Sequence, residues 1–259
     1  MTNNKISRFT LVLIILCTAI IGTGIQPAFA QMTVTELPNN AGENTEEANL
    51  YKDDNGNIYL SWIKKGENRV SSLMYAKLEG GEWSSSRKIA EGNDWFVNWA
   101  DFPSLISTPD GKFAAHWLAK SDVGTYAYDV NIARSLDGGK SWSEPLIPHN
   151  DGTPTEHGFV SMFPWDDESF FAMWLDGRNF SEDGEASPTN EMTLRHALIG
   201  WDGKLKKEDV FDLRVCECCQ TSAVKTKNGA LIAYRNRSEE EIRDISIVRF
   251  SNGKWADPF

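Results

Sequence analysis

Three cysteines stand within four residues, at Cys216, Cys218 and Cys219. Deprotonated thiols are soft ligands that suit copper or zinc. Thiols this close can instead form a strained, redox-labile disulfide or pack as inert core. No second cysteine pair follows to complete a four-thiolate zinc site, so spacing leaves these uses open. His157 could join the thiols as a ligand from a neighbouring element. The Glu156-His157 pair also reads as acid/base chemistry, because imidazole titrates near neutral pH; a hydrogen-bonded structural histidine is the plain alternative. Asp101 lies two residues from Trp99, as an acid/base or a sugar-hydroxyl acceptor beside an indole that could stack on a sugar face or, in the commoner use of such a ring, pack against neighbouring elements. Asp176 and Arg178 flank Gly177, either as a ligand contact or as a salt-bridged corner. Arg235 and Arg237 could grip a carboxylate or sulfate bidentately, although the surrounding run to Asp244 is also as charge-dense as a solvated loop.

These residues need elements to hold them, and the chain supplies a repeat. A turn followed by an alternating apolar run ending in an aromatic recurs at Asn55–Trp62, Asp110–Trp117, Asp166–Trp174 and Asn228–Tyr234. The terminal aromatics are spaced by 55, 57 and 60 residues. A second turn follows each one, at Gly80-Gly81, Gly138-Gly139, Asp202-Gly203 and Asn252-Gly253. Turns of this kind between alternating apolar residues signal hairpins. Two hairpins per repeat make a four-stranded propeller blade, which a fixed period favours over a β-sandwich. Blades are predicted at 47–92, 102–147, 157–213 and 219–259. With strands A to D running outward from the axis, the loops from D to the next A and from B to C open at one mouth. Trp95, Trp99, Asp101, Glu156, His157 and the cysteines fall in D–A loops. Asp176, Arg178, Arg235 and Arg237 fall in B–C loops.

Ser135-Leu136-Asp137-Gly138-Gly139-Lys140-Ser141-Trp142 fits the Asp-box pattern through Ser135, Asp137, Gly139, Ser141 and Trp142. Its carboxylate can cap turn N–H groups and its glycines can take positive φ, a structural role on the face away from the mouth. On this motif and the periodicity the chain resembles the sialidase superfamily of BNR-repeat proteins. The resemblance implies an all-β six-bladed propeller and exo-α-sialidase-type hydrolysis of acidic glycans. In that family three arginines hold the substrate carboxylate, an Asp serves as acid/base, and a Tyr–Glu pair is the nucleophile. This chain lacks the early arginine, since its first blade opens with Ala48-Asn49-Leu50-Tyr51. A non-hydrolytic propeller with a copper or zinc thiolate or redox site, and a glycan-binding module, stand beside the hydrolase.

Composition sets the bounds. The chain has 259 residues, 41% hydrophobic and 24% charged, with a net charge of −11. That excludes a disordered or polytopic membrane protein and argues against nucleic acid as partner. Lys5 and Arg8 precede an apolar run from Phe9 to Gly22, and Ala28 and Ala30 supply the small residues of a cleavage site. Residues 1–30 therefore read as a secretory signal rather than a membrane span, with a periplasmic or extracellular mature chain from residue 31. Leu16 stands before Cys17, where a lipid-attachment site has a small residue. A period near 55 accommodates about four blades in the remaining length, against the six of sialidase-type closure, so the propeller is expected to be C-terminally incomplete.

Overall fold

Sixteen strands build four antiparallel sheets in a computed structural model that describes residues 34–180 and 191–259. The leader predicted over residues 1–30 lies outside the described residues. The first sheet holds β1 (Thr45–Lys52), β2 (Ile58–Lys65), β3 (Ser71–Glu79), β4 (Glu82–Trp83) and β5 (Arg87–Gly92), the last two both pairing β3. The second holds β6 (Ser104–Ser107), β7 (Phe113–Lys120) and β8 (Tyr128–Ser135). The third holds β9 (His157–Pro164), β10 (Ser169–Asp176), β11 (Thr193–Gly200) and β12 (Leu205–Asp212). The fourth holds β13 (Ser222–Thr226), β14 (Gly229–Arg235), β15 (Ile245–Ser251) and β16 (Lys254–Trp255). The first strands of successive sheets, β1, β6, β9 and β13, pack against one another in turn. This is a propeller arrangement, with each sheet a blade. Among the described residues no helix is long and apolar enough to cross a membrane.

The second blade has three strands where four were expected. Leu146 alone occupies the outer position, exchanging both backbone hydrogen bonds with Ile132 at 2.9 Å. Pro145 and Pro148 flank it, and a residue without an N–H cannot extend a ladder.

The third repeat is a continuous apolar run from Phe170 to Leu175 where an alternating one was expected, and burial explains it. Every residue of β10 is buried. Phe170, Ala172 and Trp174 pack with Tyr128, Val130 and Ile132 of the second blade. The alternate residues Phe171, Met173 and Leu175 pack with Ile232, Tyr234 and Val248 of the fourth. A strand between two blades presents an apolar side chain to each face, so alternation disappears. The repeated aromatics Trp62, Trp117, Trp174 and Tyr234 occupy β2, β7, β10 and β14 and are all buried.

The turn after β8 is tied by its own side chains. Asp137 accepts N–H bonds from Lys140 and Ser141 at 3.0 Å and the Ser141 hydroxyl at 2.6 Å. Ser135 Oγ donates to Asp137 and accepts from the Gly139 N–H. Gly139 sits at φ 73°, and a Cβ there would fall 2.1 Å from the Tyr75 hydroxyl. Trp142 packs against Tyr75 and Phe113 where the first two blades meet. Like the other C–D turns, this one lies at the strand ends opposite the B–C and D–A loops.

Candidate functional site

The B–C and D–A loops of adjacent blades enclose a cavity of about 560 Å³. Trp99 and Asp101 enter from the loop before β6, Tyr128 from the start of β8, and Glu156 from the loop before β9. Phe180 follows β10, and Glu217 and Cys218 come from the loop before β13. Three carboxyl groups thus face aromatic walls, and neither Arg nor Lys lines the cavity among the described residues.

Asp101 is aimed inward by a tight turn. Its N–H donates to the Asn98 carbonyl at 3.1 Å, and the Asn98 side chain accepts the Ala100 N–H at 2.8 Å. The carboxyl is 3% exposed and accepts the Phe159 N–H at 2.8 Å. Phe159 adopts φ 53°, a left-handed conformation that costs a bulky residue free energy. Gly158 makes the approach possible, because a Cβ there would lie 2.0 Å from Asp101 Oδ2.

Tyr128 joins Asp101 to Glu156. Its ring stacks on Phe96 at a centroid distance of 4.0 Å. Its hydroxyl lies 2.8 Å from Glu156 Oε1 and 3.4 Å from Asp101 Oδ2, so these two oxygens are no more than 6.2 Å apart. Burial, followed by the charge of Glu156, pushes the Asp101 carboxyl up to about 8 despite the Phe159 and Tyr128 hydrogen bonds. Burial and then Glu217 push Glu156 up to about 7 against the Tyr128 bond. Burial and both carboxylates hold the Tyr128 phenol well above its ordinary value. The raised Asp101 carboxyl favours its protonated form at neutral pH, and the Tyr128 hydroxyl, within reach of both carboxyls, lies closer to Glu156. The phenol thus links the two carboxyl groups in the cavity wall.

His157 is a correction to the sequence reading. Its ring is 0% exposed, does not line the cavity, and does not converge with the thiols. As the first residue of β9 it turns into the blade, with Nε2 3.3 Å from Asp151 and 3.8 Å from Asp176, and stacks on His149 at 3.8 Å. Burial opposes its charge, but Asp151, Asp176 and Asp129 outweigh it and raise its pKa. Asp176 and Arg178 are likewise turned to each other, through Nε–Oδ1 and Nη2–Oδ2 contacts of 2.7 Å. Trp174 Nε1 donates to Asp176 at 2.8 Å, and Arg178 reaches Glu208 at 3.0 Å. This is the salt-bridged corner, in place of a substrate contact.

The proposed arginine grip is also spent elsewhere. Arg235 donates to the Arg243 carbonyl at 3.0 Å and to Cys219 Sγ at 3.4 Å. Arg237 pairs with Glu241 at 2.9 Å and lies 3.6 Å from Glu191. A guanidinium with its fork so engaged is not free for a ligand in the cavity. Trp99, by contrast, is 83% exposed at the cavity edge, while the other tryptophans are buried or half-buried.

Asp101, Glu156 and Trp99 were reachable from the repeat, because loop class placed them at the mouth. Tyr128 was missed because it opens a strand instead of lying in a loop; its position directly after a B–C loop was the available signal. Glu217 was passed over between the cysteines that flank it.

No protein-family model and no curated protein matches the chain. Solved structures do match in fold. The α-L-arabinanase of Penicillium chrysogenum complexed with arabinobiose aligns at TM-score 0.54 and 16% identity, covering 81% of this chain and 63% of that one. A neuraminidase-like protein from the isolate A/bat/Guatemala aligns at 0.51 and 13%, covering 82% and 53%. The fold is that of the sialidase-like propellers. An α-L-arabinofuranosidase of Fusarium graminearum with arabinobiose aligns at 0.50 and 13%, covering 87% of this chain and 68% of that one. The chain spans less than two thirds of the length of the first two.

Proposed function

We propose that this propeller is a glycoside hydrolase acting on neutral glycans, with Glu156 as the proton donor to the glycosidic oxygen. The observation that supports the reading is the cavity itself, where Glu156 meets Asp101 and Tyr128 beneath aromatic walls. Hydrolysis of a glycoside needs one carboxyl that holds its proton near neutral pH and a second that is ionised. Glu156, desolvated beside the phenol, fits the first role. Glu217, facing the Arg243 guanidinium at 3.4 Å, fits the second. Asp101 and Tyr128 act through Glu156 as positioning groups. Trp99 offers a flat apolar face to a sugar ring.

A neutral substrate is favoured over a sialoside on charge. No arginine or lysine lines the cavity among the described residues, so a sialic acid carboxylate would find no counter-charge there. Two of the structural neighbours are arabinobiose complexes, which makes arabino-oligosaccharides the first substrates to try. Export from the cell belongs to the same proposal and rests on residues 1–30 alone; the N-terminal residue of the secreted protein tests it.

The test is release of sugar from arabino-oligosaccharides, aryl α-L-arabinofuranosides and an aryl sialoside between pH 4 and 8, with Glu156→Gln as control. Turnover of a neutral glycoside that Glu156→Gln abolishes supports the proposal. Binding without turnover would leave Trp99 and the carboxyl groups as a glycan-binding surface and remove the hydrolase reading. Turnover of the sialoside alone would overturn the neutral specificity.

A further inference from the structure

The three thiols converge. Cys216 Sγ lies 3.6 Å from Cys218 Sγ and 3.5 Å from Cys219 Sγ, and the remaining pair is 3.9 Å apart. All three cysteines are free, and these separations are far beyond the roughly 2.05 Å of a covalent disulfide. Three sulfurs held about 2.3 Å from one tetrahedral ion stand about 3.8 Å from each other. The observed triangle is therefore one face of a metal–thiolate tetrahedron, formed with small displacements. We propose that Cys216, Cys218 and Cys219 form a three-thiolate site for a thiophilic d10 ion, copper(I) or zinc(II).

The surroundings supply what such a site needs. Arg235 Nη1 lies 3.4 Å from Cys219 Sγ and Arg243 Nη1 lies 3.5 Å from Cys216 Sγ. Three thiolates around either ion leave one or two negative charges, and two guanidiniums offset them. Partners of this kind orient ligands and tune a bound metal. The loop is also anchored before any ion arrives. The Cys216 N–H donates to the Arg235 carbonyl at 2.9 Å, and Val215 bridges Asn236. Thr221 Oγ1 donates to the Phe159 carbonyl at 2.7 Å. Cys216 is buried while Cys218 is exposed, which leaves an entry path from the cavity side. Both metals prefer thiolate over oxygen donors. Among the described residues no His, Asp or Glu donor joins the three sulfurs, so copper(I) would be three-coordinate and zinc(II) would keep an open fourth position.

The site shares its loop and Arg243 with Glu217, but its readout is metal, so failure of the glycan reading and failure of this one are distinguishable. The secreted protein purified without oxygen is analysed for metal, titrated with copper(I) against a chromophoric chelator, and titrated separately with zinc(II). One ion per chain, a three-sulfur shell by X-ray absorption and protection of the thiols from alkylation are expected. Copper(I) in the shell names the first metal and zinc(II) the second. Cys218→Ser, at an exposed position, should lower affinity more than about 100-fold, and Arg243→Gln by about 10- to 100-fold, as loss of an outer-shell partner does. Substoichiometric metal with equal alkylation of all three thiols, with or without added ion, would overturn the proposal. A disulfide among the three in protein kept from oxygen would do the same.

Discussion

Replacing Asp101 with Asn should stabilise the protein at neutral pH, and the gain should grow with pH. Asp101 is raised in the fold from an ordinary 3.8 to about 8. A raised carboxyl means that the folded protein holds a proton the unfolded chain has already released. Its contribution is therefore fully present below the unfolded value and is lost as pH rises, until the folded value is passed near pH 8. Within that window each pH unit costs about 1.4 kcal/mol. Between pH 5 and pH 7 the wild-type protein should lose about 3 kcal/mol through Asp101 alone. Glu156, raised from 4.5 to about 7, adds a loss of the same sign up to its own folded value. Asn keeps an oxygen for the Phe159 N–H and offers an N–H toward the Tyr128 oxygen, with nothing to ionise. Urea unfolding of both proteins at pH 5, 6 and 7 measures the two slopes. An advantage for the variant that widens by about 3 kcal/mol between pH 5 and pH 7 is the expected result. Parallel curves, or a variant less stable than wild type at pH 7, would show that Asp101 is ionised in the fold and that burial does not hold its proton.

Glu156→Gln should lower kcat for any glycoside turned over by about 10²- to 10⁴-fold while leaving KM within a few-fold, read from initial rates. Gly158→Ala drives a Cβ to 2.0 Å from the buried Asp101 oxygen; a loss of about 2–4 kcal/mol is expected, seen as a fall of about 4–16 °C in Tm. Asp176→Ala leaves the buried end of Arg178 and the Trp174 N–H without their acceptor, and chemical unfolding should show a loss of about 3–5 kcal/mol. Asp176 is depressed despite burial, through Arg178 and His157, so this contribution should be present above pH 4 and fade as pH falls through the lower folded value. Asp137→Ala should leave turnover unchanged and speed amide exchange at Lys140 and Ser141, whose N–H groups it caps.

Much of this molecule was legible in one dimension because a repeat carries its own frame. Trp62, Trp117, Trp174 and Tyr234 mark the same strand in each blade, and the turns between them assign every loop to one end or the other. That was enough to bring Asp101 and Glu156 to one mouth, although they are 55 residues apart in the chain. The single-residue outer bridge at Leu146 was missed because the repeat was weighted over its flanking prolines. Arg235 and Arg237 were assigned by loop class to a ligand, yet loop class says nothing of what already faces a side chain.

The sequence by itself determined the blade period, the end of the blade on which each loop lies and the identity of the groups gathered there. Only tertiary structure decided which of those groups touch. The bond from Tyr128 to Glu156 crosses 28 residues and that from Asp101 to Phe159 crosses 58, each across a junction between blades. His157 turned inward to Asp151 while its neighbour Glu156 stayed in the cavity, because adjacent residues at a strand entrance point to opposite sides. Periodicity locates a residue along the chain's path; how the blades pack against one another sets what lies across the interface from it.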